Sequence, residues 1–318
     1  MKHRVAVVGA GVSGLTSALV FAERGYDVSI FAEEVAQSTT SGAAAAIWFP
    51  YDAKPADKVI PWALETYRVL LELSHEPRSG VSMIELRQFS RAGKIEIPGW
   101  AHSLSARNLR SDQIASAFDS GFALTVPLMD TTIYLDYLRQ RLTNAGGVIQ
   151  DGVRFEKVGD VDPRFDLLIN CAGFGAKALV PDVDLEPHRG QVAIVPRIEG
   201  LTCAMVCDDA PLMYAIPRAR DCVFGGTNDR SQNLAVDPKS TARIVAECSR
   251  VLKIKNPPVL VERVGIRPFR KSGVRVERER LRDGRVVIHN YGHGGAGFTL
   301  SWGCARQAVS VAQAAKLN

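Results

Sequence analysis

The sequence predicts an α/β fold in which a parallel-sheet domain, assembled from separated stretches of chain, carries an inserted antiparallel-β-rich domain. Three observations predict it. The chain opens with an apolar strand, a glycine turn, a helix and a second strand. It closes with a short apolar strand, a second glycine-rich segment and an alanine-rich helix. Between these ends short strand-like runs dominate, and strand–helix alternation returns only near the middle. A chain of 318 residues has room for two connected domains.

Arg4 to Val8 is a nearly continuous apolar run, as a parallel strand buried on both faces requires. Ser13 to Arg24 has helical character and stops at Gly25, a natural residue just past a helix end. Asp27 to Ala32 is the second strand, with Glu33 at its end. Trp62 to Leu73 and Ile133 to Leu142 carry apolar residues at helical spacing. Asp130 to Thr132 supply caps for the second of these, and Gly146-Gly147 ends it. Val148 to Val153 and Asp166 to Cys171 read as further strands, the latter breaking at Gly173. From Gly190 onward the strands are short: Val192 to Val195, Met213 to Ile216, Cys222 to Phe224 and Val274 to Glu277. One helix, Thr241 to Leu252, follows the Asp237-Pro238 start signal, and Val286 to Ile288 is the last strand. The expected division is therefore 1–46, 145–190 and 284–318 for the discontinuous domain, with 47–144 and 191–283 inserted as a substrate-binding domain.

Composition narrows the class. The hydrophobic fraction of 46% and charged fraction of 23% are those of an ordinary globular enzyme. The net charge of +5 is modest, and the basic run Arg275 to Arg285 is broken by Glu277, Glu279 and Asp283, so no nucleic-acid partner is expected. No apolar run is long enough to span a bilayer, so no membrane partner is expected either. Cysteines 171, 203, 207, 222, 248 and 304 follow neither a metal spacing nor a disulfide framework. No metal site is expected, and a reducing, cytoplasmic location fits. The basic N-terminus imitates a secretory signal, but Gly9-Ala-Gly11-Val-Ser-Gly14 and Glu23-Arg24 fit a strand and helix better. The C-terminal Ala-Lys-Leu-Asn lacks a peroxisomal Ser-Lys-Leu.

The chemistry concentrates in the two glycine segments. In Gly9-x-Gly11-x-x-Gly14 the first glycine makes the turn, the second admits a pyrophosphate and the third lets helix and strand pack closely. Val12 and Ser13 stand at the N-terminus of the helix behind it, where amides and dipole favour anions. Glu33 is placed to accept ribose hydroxyls and to repel a 2′-phosphate. This fingerprint leaves NAD and FAD both open. The second segment, His289-Asn-Tyr-Gly-His-Gly-Gly-Ala-Gly-Phe-Thr299, suggests that one extended cofactor is gripped from both sides.

Five stretches together resemble the D-amino acid oxidase family of FAD enzymes, which have a glutathione-reductase-type fold. They are Ser38 to Tyr51, Asp166 to Gly173, Arg189-Gly-Gln-Val192, Val264-Gly-Ile-Arg267-Pro-Phe-Arg270 and His289 to Thr299, in order along essentially the whole chain. The resemblance implies a Rossmann-like FAD-binding domain and oxidative deamination of D-amino acids, with the Cα hydrogen passing as hydride to flavin N5. Molecular oxygen is then the second substrate, and 2-oxo acid, ammonia and hydrogen peroxide are the products. By position, Arg267 matches the arginine that binds the substrate carboxylate, Tyr214 a tyrosine touching that carboxylate, and Gly295 the glycine whose carbonyl accepts from the substrate amine. Thr39, Thr40, Ser41 and Ala44, Ala45 and Ala46 match residues wrapping the flavin, with Val153 toward the adenine and Gly173 after the middle strand. Gly294, Gly297, Phe298 and Thr299 match positions lining the isoalloxazine pyrimidine edge, and the resemblance also counts Gly292, Gly295 and Arg267 among the cofactor-binding residues.

Three positions depart from mammalian members: Phe49 stands where they carry glutamine, Ala210 replaces a second tyrosine, and the segment from Gln191 to Tyr214 is shorter than their lid. A more open side-chain pocket follows from these, with product release less gated by loop motion. A D-aspartate oxidase or a glycine/sarcosine-type amine oxidase is the near alternative, and Arg218 or Arg220 could supply the second cation that an acidic substrate needs. An NAD-dependent dehydrogenase is the alternative of another class. His293 sits inside a glycine turn, where hydrogen bonding to backbone outranks acid–base chemistry. A homodimer is compatible with a chain of this size.

Overall fold

The computed structural model describes residues 3–314; residues 1–2 and 315–318, and with them the C-terminal Ala-Lys-Leu-Asn, lie outside the described residues. In chain order the elements are β1 (Arg4–Ala10), α1 (Val12–Ala22), β2 (Asp27–Val35), α2 (Ala56–Leu73), β3 (Val81–Ser90), α3 (Gly99–His102), β4 (Arg107–Asn108), β5 (Ser120–Met129), α4 (Thr131–Asn144), β6 (Val148–Gln150), β7 (Leu167–Asn170) and α5 (Ala176–Leu179). They continue with β8 (Leu185–Pro196), β9 (Cys203–Cys207), β10 (Met213–Pro217), β11 (Asp221–Gly225), β12 (Asp229–Arg230), α6 (Pro238–Leu252), β13 (Val261–Arg270), β14 (Arg275–Arg280), β15 (Val286–Tyr291) and α7 (Gly297–Ala314).

The chain divides into two compact units. The first comprises Met1–Val81, Met129–His188 and Ile266–Asn318, the second Ser82–Leu128 and Arg189–Gly265. In the first, six strands run in the order β14-β15-β7-β1-β2-β6. All neighbours pair in parallel except β14, which is antiparallel to β15 at the edge. Val5, Ala6 and Val7 are completely buried, as are Leu167, Leu168 and Ile169 beside them. Both faces of these central strands are covered, which is why their sequences are apolar without alternation. One face packs Ala6, Val8, Phe31, Phe165, Leu179 and Tyr291 into a single cluster.

Helices α2 and α4, expected in the inserted domain, pack within the first unit instead. The reason lies in α7. A β-carbon on Gly303 would overlap the main chain of Trp62, so α2 and α7 approach to backbone contact. Thr66 Oγ1 accepts the Gly303 N–H at 2.9 Å, and Trp302 Nε1 donates to the Tyr134 hydroxyl on α4 at 2.8 Å.

The second unit is built on a nine-stranded, mainly antiparallel sheet ordered β12-β8-β11-β10-β9-β3-β5-β4, with β13 paired to β8 and β3 parallel to β9. Helix α6 starts at Asp237, whose carboxylate accepts the N–H groups of Lys239 and Ser240. Its apolar face, Ile244, Val245, Cys248 and Val251, shares one core with Phe89, Val195, Met213 and Phe224. Strands β8 and β13 each pass through a boundary of the units, so His188 and Arg267 belong to the first.

Several strands are longer or newer than the sequence pattern suggests. β3 and β5 carry internal glutamate, arginine, glycine or proline that breaks two-residue alternation, and no strand signal survives there. His289, Asn290 and Tyr291 are strand residues of β15, so the second glycine turn is confined to residues 292–296. Expected strand 148–153 shortens to β6, after which Val153 N–H joins the end of β2 through Ala32 O at 3.0 Å.

Candidate active site

The first turn is a backbone device. Gly9 has φ +105°, in the left-handed region, and a β-carbon there would sit 2.5 Å from Cys171 O. A β-carbon on Gly14 would overlap Gly9 O, so α1 rests directly on the end of β1. Gly11 differs: its absent β-carbon would face only the hydroxyls of Ser41, at 3.0 Å, and Thr39, at 3.6 Å. Ser41 Oγ also accepts the Val12 N–H at 2.9 Å. Thr39 is ordered by donating to Ala36 O at 2.6 Å and accepting from Ser41 N at 3.3 Å. Amide groups at a helix N-terminus and two hydroxyls thus gather around the second glycine.

The second turn meets the first. Gly292 and Gly294 have φ +84° and +55°. Gly294 N–H donates to Pro268 O at 2.9 Å, and Phe269 bridges to His293 through the backbone. Leu300 N–H closes the first turn of α7 on Ala296 O, which leaves the N–H groups just before it without helical partners. A β-carbon on Gly297 would lie 3.7 Å from Val12 Cγ1, so the N-termini of α1 and α7 converge.

A buried polar ladder ties the two turns together. Ser13 Oγ and His293 Nδ1 are 3.5 Å apart, His293 Nε2 is 3.0 Å from Asn290 Oδ1, and Asn290 Nδ2 donates to Ser17 Oγ at 3.0 Å. Burial pulls His293 down to about 4, so the imidazole is neutral, donating from Nε2 and accepting at Nδ1. Its partners are side chains rather than the backbone expected for it. The far end of β15 is clasped by Asp182, which accepts from Tyr291 Oη at 2.7 Å and Arg270 Nε at 2.8 Å. Burial alone would raise the Asp182 carboxyl; these donors hold it below its ordinary value instead.

Arg267 and Gly295 lie side by side. The position of a Gly295 β-carbon is 3.6 Å from Arg267 Cδ and 2.6 Å from Tyr51 Cδ1, so the Tyr51 ring and the arginine stem flank one glycine. Thr299 spends its hydroxyl on the preceding segment, donating to Phe49 O at 2.9 Å and accepting Phe49 N–H at 3.1 Å. Next in the chain, Asp52 adopts φ +53° and its carbonyl oxygen occupies the place a Gly294 β-carbon would take. Its carboxylate is 3.3 Å from His188 Nδ1, and the His188 ring stacks on Phe269 with centroids 4.4 Å apart. Burial raises the Asp52 carboxyl, against the pull of His188, Arg267 and Lys54. Tyr51 could have been found from its place in the Trp48 to Tyr51 stretch. Asp52 and His188, distant in sequence and in no motif, carry no such signal.

The remaining positions around the first turn are ordered by local bonds. Glu33 is exposed and pairs with Arg154 at 3.3 Å, and Val153 stands next to it in the β2 edge. Ala44 and Ala45 lead to Ala46, which has φ +54° and accepts Met129 N–H at 3.0 Å. Gly173, with φ +57°, opens the turn after β7, and Thr40 is exposed. Phe298 is buried against Tyr134.

Tyr214 lies in the second unit, on β10. Its ring covers the glycine pair that ends β11: a β-carbon on Gly225 would overlap it, and one on Gly226 would come within 2.8 Å of its hydroxyl. Arg218 is nearly fully buried and its Nε and second terminal nitrogen bind Asp221 at 2.6 and 2.8 Å. Those two nitrogens bind Asp221 inside the same turn, while Arg218 Nη1 is buried with no hydrogen-bond partner; Arg220 is exposed. All six cysteines are free thiols and buried. Among the described residues no group of three His, Cys, Asp or Glu side chains could hold a metal ion, and no helix is long and apolar enough to cross a membrane.

The convergent helix N-termini, the open face of Gly11 and the Ser41 hydroxyl form a donor set that suits the diphosphate of a dinucleotide. The profile of the family described as FAD dependent oxidoreductase matches residues 4–310. The chain is 37% identical to a D-amino-acid oxidase of Rubrobacter xylanophilus, covering 98% of this chain and 96% of the relative. It is 30% identical to a D-aspartate oxidase of Homo sapiens, covering 96% and 93%. The crystal structure of glycine oxidase from Geobacillus kaustophilus shares the fold, with a TM-score of 0.83 at 17% identity over 98% of this chain and 95% of that one.

Proposed function

The chain belongs to the family of FAD dependent oxidoreductases, and on that premise we propose that it oxidatively deaminates D-amino acids. The products are the 2-oxo acid, ammonia and hydrogen peroxide. The similarity to a D-amino-acid oxidase over nearly the whole of both chains carries this reading. The lateral placement of Arg267 against Gly295 supports it from the side of the chemistry.

FAD, when bound, supplies at N5 the acceptor for the hydride from substrate Cα and passes the electrons on to molecular oxygen. The chain's own residues bind and orient. Gly9, Gly11, Val12, Ser13 and Gly14 would hold the diphosphate, and Glu33 and Val153 would serve the adenosine end. Thr39, Thr40, Ser41, Ala44, Ala45, Ala46, Gly173, Gly292, Gly294, Gly297, Phe298 and Thr299 would enclose the flavin.

Arg267 pairs its planar guanidinium with the substrate carboxylate, Tyr214 offers its hydroxyl to the same group, and the Gly295 carbonyl accepts from the substrate amine. Two polar anchors and one reacting face select the D-configuration. The amine must react neutral, and no strong protein base is required. His293, neutral and buried, holds the turn rather than moving a proton. Orientation is then the principal contribution of the protein. The reaction needs neither nucleic acid nor membrane, and a cytoplasmic setting suits six unpaired thiols.

The test is spectroscopic. Purified protein should be yellow, and its flavin absorption should bleach anaerobically with D-alanine or D-methionine but not with the L-forms. A colourless protein that turns over only with added NAD would overturn the reading.

A further inference from the structure

We propose, resting on the reading above, that Asp52 is a specificity-determining residue: a fixed carboxylate beside the substrate anchors that rejects D-amino acids with an acidic side chain. Three observations bring Asp52 to this place. Its carbonyl oxygen is pressed against Gly294, its neighbour Tyr51 lies on Gly295, and Arg267 Cδ borders the same Gly295. Asp52 is thus tied to the residues that would hold the substrate's amine and carboxylate.

The side chain is anchored as firmly as the backbone. His188 Nδ1 is 3.3 Å from Asp52 Oδ2, and both side chains are about one-fifth exposed. His188 is in turn fixed by parallel stacking, at 13°, on Phe269, two residues beyond Arg267. Lys54 approaches the same Phe269 ring, with its ammonium 5.7 Å from the centroid. The charges gathered here are therefore Arg267, Lys54 and the titratable His188, with Asp52 as their carboxylate. Its charge and that of Arg267 act on each other.

A substrate with one carboxylate meets Arg267 and loses little to Asp52. A substrate with a second carboxylate brings another negative charge into the field of Asp52. Repulsion between partly buried charges of like sign is worth roughly tenfold in affinity.

The experiment compares the flavin-loaded wild type with Asp52→Asn and Asp52→Glu at pH 8. Two ratios are read: kcat/KM for D-aspartate over D-alanine, and the dissociation constants of propionate and succinate from the shift they induce in the flavin spectrum. Asp52→Asn should raise the D-aspartate to D-alanine ratio about tenfold and tighten succinate relative to propionate by a similar factor. Asp52→Glu should restore the wild-type ratios. A purely structural Asp52 would lower both substrates together and leave the ratios within twofold, and that result defeats the proposal. The carboxylate titration needs no turnover, so a wild type that binds propionate but oxidises no D-amino acid would refute the functional reading while still testing Asp52.

Discussion

Ser13 and His293, 280 residues apart in the chain, meet at 3.5 Å between the N-termini of α1 and α7. The contact makes one unit of two glycine turns that the sequence presents at opposite ends. Because His293 is buried and neutral, with its pKa drawn down to about 4, its effect on stability has a definite sign. The unfolded chain takes up the proton near the ordinary histidine value of about 6.5, before the folded one does. Stability is present above that pH and is lost as pH falls toward 4, by on the order of 3 kcal/mol over the whole window. In His293→Gln this component disappears. Urea unfolding of both proteins at pH 7.5 and 4.5 should show the wild type losing more in acid than the variant, whereas parallel losses would assign the acid sensitivity to carboxylates such as Asp182.

Gly11 and Gly14 should separate cofactor binding from folding. Gly11→Ala meets only the far end of the Ser41 side chain and should yield folded protein with FAD affinity reduced about tenfold or more. Gly14→Ala drives a methyl into Gly9 O and should cost about 3 kcal/mol or more in stability, with flavin lost because the turn is broken. Thermal unfolding together with flavin titration checks both. Equal stability in the two variants would contradict the packing assigned to Gly14.

Tyr214 depends on the glycines beneath it. Gly225→Ala would displace its ring, since the added carbon occupies the ring's own position. The expected outcome is a KM for D-alanine raised about tenfold, with the flavin spectrum unchanged because every proposed FAD residue belongs to the other unit. An unaltered KM would detach Tyr214 from the carboxylate.

Arg267→Lys keeps the charge and removes the planar fork. Steady-state kinetics should show kcat/KM for D-amino acids falling about a hundredfold, mainly through KM, in a protein that remains yellow. Loss of the flavin instead would place Arg267 in the cofactor site rather than against the substrate.

Much of this molecule is legible before any coordinate. Val5 to Val8 and Leu167 to Ile169 announce doubly buried strands because nothing polar interrupts them. Gly9, Gly11 and Gly14 announce a turn because three spaced glycines have no use in an ordinary helix. β3 and β5 are hidden for the opposite reason, since glutamate, glycine and proline within them erase the alternation on which a strand signal rests. His289 to Tyr291 are masked by the glycines that follow, and only pairing with β7 and β14 makes them a strand.

Local order is what the sequence determined by itself: the βαβ start, the two glycine segments, and the stretches that carry the family resemblance. Periodicity, turn residues and side-chain type are properties of short windows, and they can be read from short windows. Tertiary structure alone decided the partnerships. It set Ser13 against His293, pressed Tyr51 onto Gly295, paired Arg218 with Asp221 and brought Asp52 to His188. Apart from Arg218 and Asp221, which share one turn, these pairs lie far apart along the chain. Their meeting depends on strand register and on helix packing at glycine-sized separations, which no window of sequence contains.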